Sequence, residues 1–187
     1  MATQDDVIEV LVSDHREVEQ LFGELEQMTG SIGEQAKTLA EKVVIELVRH
    51  SIAEEWYLYP AVREHVPGGD KLADQELSEH AEAERTMKRL EGLEPGEREF
   101  WPTMELLMSQ IREHVREEES DLFPRLRQAC PPERLAELGG KVEAAKKLAP
   151  TRPHPLAPDS PPAGKLLAPG AGLVDRIRDA ITGRGRS

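Results

Sequence analysis

This chain carries an internal repeat. His50, Glu54, Glu55, Leu58, Tyr59, Pro60 and Arg63 recur sixty-four positions later as His114, Glu118, Glu119, Leu122, Phe123, Pro124 and Arg127, and Pro67 is matched by Pro131. A fainter echo, offset by sixty-five, sets Asp14-His15 and Glu19 against Glu79-His80 and Glu84. Each copy lies in a stretch of helical periodicity. The repeat therefore points to two similar helix hairpins facing one another across a pseudo-two-fold axis.

The periodicity is that of amphipathic α-helices. The spacing predicts a first helix over about residues 4 to 27, with Ile8, Leu11, Val18, Phe22 and Leu25 on one stripe and His15 inside that series. Met28 to Gly33 reads as a turn whose glycines tolerate positive φ. A second helix carries Leu39, Val43 and Leu47, and its stripe continues as His50, Glu54 and Tyr57. After a break at Val66 to Asp70, a third presents Leu72, Leu77, His80, Glu84, Met87 and Leu90. Beyond the turn Glu91 to Gly96, a fourth presents Phe100, Met104, Leu107, Ile111, His114, Glu118 and Leu122. Short turns between long helices make neighbours antiparallel. The expected fold is all-α: an up-down-up-down antiparallel four-helix bundle, then a short fifth helix over about Glu133 to Lys147, then a Pro-rich C-terminal tail. In boundaries, that is a bundle over 1–130, an accessory helix over 131–148 and a tail over 149–187. Pro60 and Pro124 each remove a helical hydrogen bond and predict a kink or restart.

Composition narrows the function classes. Of 187 residues, 32% are charged and 4% aromatic, a texture that fits an all-helical chain. A net charge of −12 argues against nucleic acid or an anionic membrane surface as partner of the main body. The single cysteine, Cys130, excludes an intrachain disulfide and every multi-cysteine metal motif. The start has no basic and apolar leader, and no stretch approaches the roughly 18 apolar residues of a membrane span, so a soluble cytoplasmic protein is expected. The tail differs: seven prolines fall between Pro150 and Pro169, and its basic residues outnumber its acids. It reads either as a flexible tail or as an arm whose terminal amphipathic segment (Leu173, Val174, Ile177, Ile181) docks on the acidic bundle or on a second subunit.

Four histidines sit one per helix near mid-length: His15, His50, His80 and His114. Three are followed four residues later by a glutamate on the same predicted inner stripe, Glu54, Glu84 and Glu118, which puts an imidazole and a carboxylate on one helix face. A lone histidine on an apolar seam is more often a hydrogen-bonded core residue than a ligand. Four at similar depth, with a repeated H-x-x-x-E, call for a metal, and imidazole with carboxylate suits iron or manganese, and less diagnostically zinc. Four histidines and two or three carboxylates exceed the needs of one metal with an open position, so two bridged metals are expected. Glu55, Glu117 and Glu119 read as a solvated face, His65 as a helix-end surface residue and His154 as part of the tail. Glu-x-x-His pairs, needed for a ferritin-like carboxylate site, are absent, as is the H-E-x-x-H motif of zinc hydrolases.

The order His15, His50-x-x-x-Glu54, His80, His114-x-x-x-Glu118, with Asp14 before His15 and the endings Leu58-Tyr59-Pro60 and Leu122-Phe123-Pro124, resembles the hemerythrin-like (HHE cation-binding) domain over roughly residues 4 to 128. The Arg152-Pro153-His154-Pro155 stretch is similar to the tails of actinobacterial hemerythrin-like proteins. The resemblance implies a non-haem di-iron centre, two iron ions with an oxo or hydroxo bridge, held by His15, His50, His80 and His114 and bridged by Glu54 and Glu118. It also implies a departure. Oxygen-carrying members have a further histidine where this chain has Glu84, and they space the last carboxylate five residues after its histidine rather than four. An anionic Glu84 at the metals favours the ferric state, which suits peroxide chemistry better than oxygen carriage. The expected function is thus reaction with hydrogen peroxide, catalase-like or as a redox response, with Glu84 as ligand or proton carrier. The alternative is a non-catalytic sensor or binder of oxygen, nitric oxide or iron. Tyr57 and Tyr59, one turn beyond Glu54, are expected mainly to pack.

Overall fold

The computed structural model describes residues 5–153. The predicted tail segment, its docking and His154 lie outside these residues, as does the first predicted turn of helix 1 before residue 5. Helix α1 runs Val7–Gln27 and starts where a capping box forces it to. The Asp6 carboxylate accepts from the Ile8 and Glu9 N–H groups, and the Glu9 carboxylate accepts from the Asp6 N–H, so orphan donors at the helix start are satisfied. Helix α2 (Glu34–Ala53) passes through a π-turn (Glu54–Leu58) into α3 (Tyr59–His65). Helix α4 is Gly69–Glu91. Helix α5 (Phe100–Glu117) passes through a second π-turn (Glu118–Leu122) into α6 (Phe123–Ala129), and α7 is Pro132–Leu148. Among the described residues there is no strand. With α1 and α4, the two interrupted rods make the four-helix bundle expected from the periodicity.

The prolines produce neither a restart nor a sharp break. The N–H of Tyr59 reaches back to the Glu54 carbonyl, and that of Phe123 to the Glu118 carbonyl, each a wide five-residue turn. Pro60 and Pro124 have no N–H to give, and their rings crowd the carbonyl four residues back, so the widened turn just before each proline lets the helix continue. One inserted residue rotates everything downstream by about 100°. Tyr59 and Phe123, which an unbroken helix would place opposite the histidine of their rod, swing toward the interior.

Two apolar clusters sandwich the histidine layer. One includes Val18, Phe22, Leu25, Val43, Leu47, Met87, Met104, Leu107 and Ile111. The other includes Leu11, Leu58, Val62, Leu122, Phe123 and Leu126, together with Leu135, Leu138 and Val142 of α7. Helix α7 lies back along α1 and α2. Its approach is set by Gly139, where an added Cβ would fall 2.3 Å from the Asp5 carbonyl oxygen and 3.0 Å from the Asp6 carbonyl carbon. Both are backbone atoms beside the α1 cap and cannot swing aside. Gly139→Ala is expected to destabilise the fold by about 2 kcal/mol, a drop of about 4–8 °C in the calorimetric midpoint.

Candidate metal centre

The four histidines come from four rods: His15 on α1, His50 on α2, His80 on α4 and His114 on α5. All are buried. Their Nε2 atoms face inward in pairs, His15 to His50 at 3.2 Å and His80 to His114 at 3.2 Å. Two nitrogens bound at about 2.1 Å to one metal in perpendicular directions lie about 3 Å apart, so each pair has the separation of neighbouring ligands.

The π-turns deliver Glu54 and Glu118, both 0% exposed, between the pairs. Glu54 turns Oε1 to His50 Nε2 (3.0 Å) and Oε2 to His80 Nε2 (3.3 Å), one oxygen on each side. Glu118 Oε2 lies between His15 Nε2 (3.4 Å) and His114 Nε2 (3.6 Å). Among the described residues, ligand atoms converge within 4.8 Å in three sets: His15, His50, Glu54 and Glu118; Glu54, His80 and His114; and Glu76, His114 and Glu118. Both Glu54 oxygens, Glu118 Oε2 and Glu76 Oε2 are buried and close to imidazole nitrogens, yet none has a hydrogen bond of proper geometry. Buried carboxylate oxygens without directed donors are costly, and a cation is the partner that satisfies them. The donor set fits a metal-binding site, with Glu54 and Glu118 set between the two histidine pairs.

The outer edge of each imidazole is fixed by a carboxylate from the neighbouring rod. His50 Nδ1 meets Asp14 of α1 (3.3 Å), His80 Nδ1 donates to Glu55 of the first π-turn (3.0 Å), His114 Nδ1 to Glu79 of α4 (3.0 Å) and His15 Nδ1 to Glu119 of the second π-turn (2.9 Å). The four links close a ring around the bundle, each rod orienting the next rod's histidine. Such partners set the tautomer and raise ligand basicity. Glu55 and Glu119 are therefore not the solvated face expected of them; of the three, Glu117 alone stays peripheral, accepting from Gln75 (2.7 Å). The ring extends outward through Arg16, which donates to Glu119 (2.7 Å), and through Lys146 of α7, which donates to Asp14. His65, at the end of α3, lies apart from all of this.

Glu84 is the main departure from expectation. It is half-buried and joins none of the three converging sets. Glu54 and Glu118 both sit on the side of the histidine layer that follows His50 and His114 in sequence. Helix α4 runs antiparallel to α5, so on α4 that side precedes His80. The residue there is Glu76, with Oε2 3.0 Å from His114 Nδ1. Its counterpart in the repeat is Leu11, and Tyr59 is matched by Phe123. The two halves thus differ chemically. Tyr59 places its hydroxyl 2.9 Å from His80 Nε2 and donates to Glu118 Oε1 (3.4 Å), whereas Phe123 stacks on His15 at 5.8 Å. Tyr57 is half-buried against the core, and Glu19 accepts from Arg112 at the surface (2.7 and 3.0 Å).

The electrostatics follow from crowding acids around imidazoles. Burial pushes His50 down, but Glu54 and Asp14 outweigh it and raise its pKa to about 10. Burial lowers His80 too, and Glu54 and Glu55 raise it to about 9. His114 is held well above its usual range by Glu118 and Glu76 despite burial. Burial would raise Glu54, yet His50 and His80 hold it well below the usual carboxylate range. Glu76 goes the other way, pushed up by burial and by Glu118. A histidine raised on folding contributes stability fully below its ordinary value near 6.5 and loses it as pH climbs through about 9 and 10. Protein stripped by a chelator is therefore expected to show a falling thermal midpoint over that window. Metal uptake should release protons within the same window, because bound imidazoles must be neutral. Thermal scans and a pH-stat titration check both.

Over the histidine layer, on the side away from Glu54 and Glu118, a cavity of about 260 Å³ opens between α1 and α5. No described helix is long and apolar enough to cross a membrane.

Comparison with known proteins agrees with this geometry. Residues 6–126 match the hemerythrin HHE cation binding domain family. An uncharacterised hemerythrin-like protein of Schizosaccharomyces pombe is 25% identical over 94% of this chain and 86% of its own length. A DNA nickase of a Nostoc species is 32% identical over 74% of this chain, which spans only 38% of that protein. The crystal structure of an HHE cation-binding domain-containing protein from Mycobacterium kansasii superposes with a TM-score of 0.67 at 23% identity, covering 76% of this chain and 86% of that one, a likeness of fold. On its family match, its fold and its histidine-carboxylate layer, the chain belongs to the hemerythrin HHE cation-binding family.

Proposed function

We propose that this protein holds two iron ions and reacts with hydrogen peroxide. The observation that carries the reading is Glu54, a fully buried carboxylate with one oxygen on each histidine pair. In this reading His15 and His50 would hold one ion and His80 and His114 the other, with Glu54 and Glu118 as carboxylate ligands between them. Such a pair, when bound, supplies Lewis acidity and redox capacity. The chain's own residues do the rest. Asp14, Glu55, Glu79 and Glu119 keep the four imidazoles oriented. The cavity side of the layer carries no carboxylate bridge, which leaves that side for a small molecule. Glu76 lies on the opposite side of the layer, with Oε2 3.0 Å from His114 Nδ1, and helps to orient that imidazole. Glu84, outside the converging sets, is not assigned that role.

The test is oxygen evolution by the purified, untagged, iron-loaded protein from millimolar peroxide. Sustained release supports catalase-like turnover, and none would end the catalytic version. A second reading has one observation in its favour. Lys146 of α7 donates to Asp14, which holds His50, so the centre is linked through outer partners to the C-terminal helix. That suits a sensor of oxygen, nitric oxide or iron without turnover. It predicts that protease cleavage beyond α7 differs between reduced and oxidised protein.

A further inference from the structure

The cavity above the histidines is larger and more apolar than peroxide, oxygen or nitric oxide requires. Its walls are Val18, Phe22, Leu47, Ile111 and Val115, and its floor is the four histidine rings. At about 260 Å³ it exceeds the cavity of about 150 Å³ that stays dry and takes benzene. A diatomic molecule would leave most of that wall without contacts. Hydrogen peroxide would leave the apolar walls unused, its partners being the histidine floor and the polar lining residues such as Ser51 and Arg116. The charged groups at the mouth are largely paired: Arg112 with Glu19 and Glu26 across α5 and α1, and Arg16 with Glu119. The Arg112 guanidinium also lies over the Phe22 ring at 5.6 Å. These pairs span the gap between α1 and α5 and give a closable mouth.

We propose that this cavity is a binding site for a neutral, apolar organic molecule, alkyl or aryl, of about six to nine non-hydrogen atoms, seated with one end against the histidine layer. The proposal deepens the reading above and rests on it only for what the inner end of the ligand would meet. The walls and volume belong to the chain itself. The ligand's body fills the Val18, Phe22, Leu47 and Ile111 walls, and the Arg112 pairs part to admit it.

The probe is ethylbenzene, titrated by calorimetry into the purified full-length protein, with 3-phenylpropionate as the anionic counterpart. Ethylbenzene is expected to bind saturably. Ile111→Trp and Val18→Phe, which fill the cavity from opposite walls, should each weaken binding at least tenfold while keeping the native circular dichroism. If one variant fails to fold, the other decides. Absence of saturable binding up to the solubility limit, equal binding by a folded filled variant, or binding of the carboxylate alone would overturn the proposal. Iron assayed on the same samples separates the two readings. Binding without iron removes the metal pair and leaves the cavity site, and iron without binding removes the cavity site alone.

Discussion

Glu54→Ala is expected to empty both metal positions and leave less than one iron per chain. Each Glu54 oxygen faces a different histidine pair, so one truncation removes a ligand from both sides at once. His50 and His80 also lose the carboxylate that most strongly opposes their burial, and leaving buried charge unpaired costs about 3–5 kcal/mol. The variant should therefore unfold at lower temperature than the wild type stripped of metal. Glu55→Ala is the control. It removes only the outer partner of His80, so affinity should fall by about 10–100-fold with both positions still able to fill. Chelator competition followed by metal analysis distinguishes the two. Equal losses in the two variants would mean that Glu54 does not bridge.

Glu76→Gln is expected to lower peroxide-driven oxygen release by about 10–100-fold, the usual loss when a charged partner of a metal-binding histidine is removed. Glutamine keeps the shape of the side chain beside His114 and Glu118 but removes the carboxylate that faces His114 Nδ1. Glu84→Gln, on the other side of His80 and outside the converging sets, should change the rate by less than about threefold. Rates from an oxygen electrode, normalised to iron, test the pair. A large loss in Glu84→Gln with none in Glu76→Gln would reverse the assignment.

The contrast between those residues shows what a one-dimensional reading reaches. The bundle and the convergence of His15, His50, His80 and His114 with Glu54 and Glu118 were legible because they rest on regular spacing: apolar stripes, a repeat at sixty-four, and i,i+4 pairs. Glu84 has the same spacing from His80, but α4 runs the other way, so the carboxylate on the bridging side stands before the histidine as Glu76. Its repeat partner, Leu11, gave no hint of it. Tyr59 was hidden by the π-turn, which shifts its phase by about 100°, although Pro60 marked the place. Glu55 and Glu119 look like solvent-facing acids on their own helices. Their role appears only when the next rod's histidine is placed beside them. Lys146 belongs to the accessory helix, which buries Leu135, Leu138, Val142 and Ala145 and approaches the α1 cap closely at Gly139, and only that docking brings Lys146 to Asp14.

The central claim is the paired metal site, and iron content per chain tests it most directly. Metal analysis of the untagged protein, purified without added chelator and reconstituted with ferrous iron, should give two iron ions per chain. A single metal ion, or none, would contradict it.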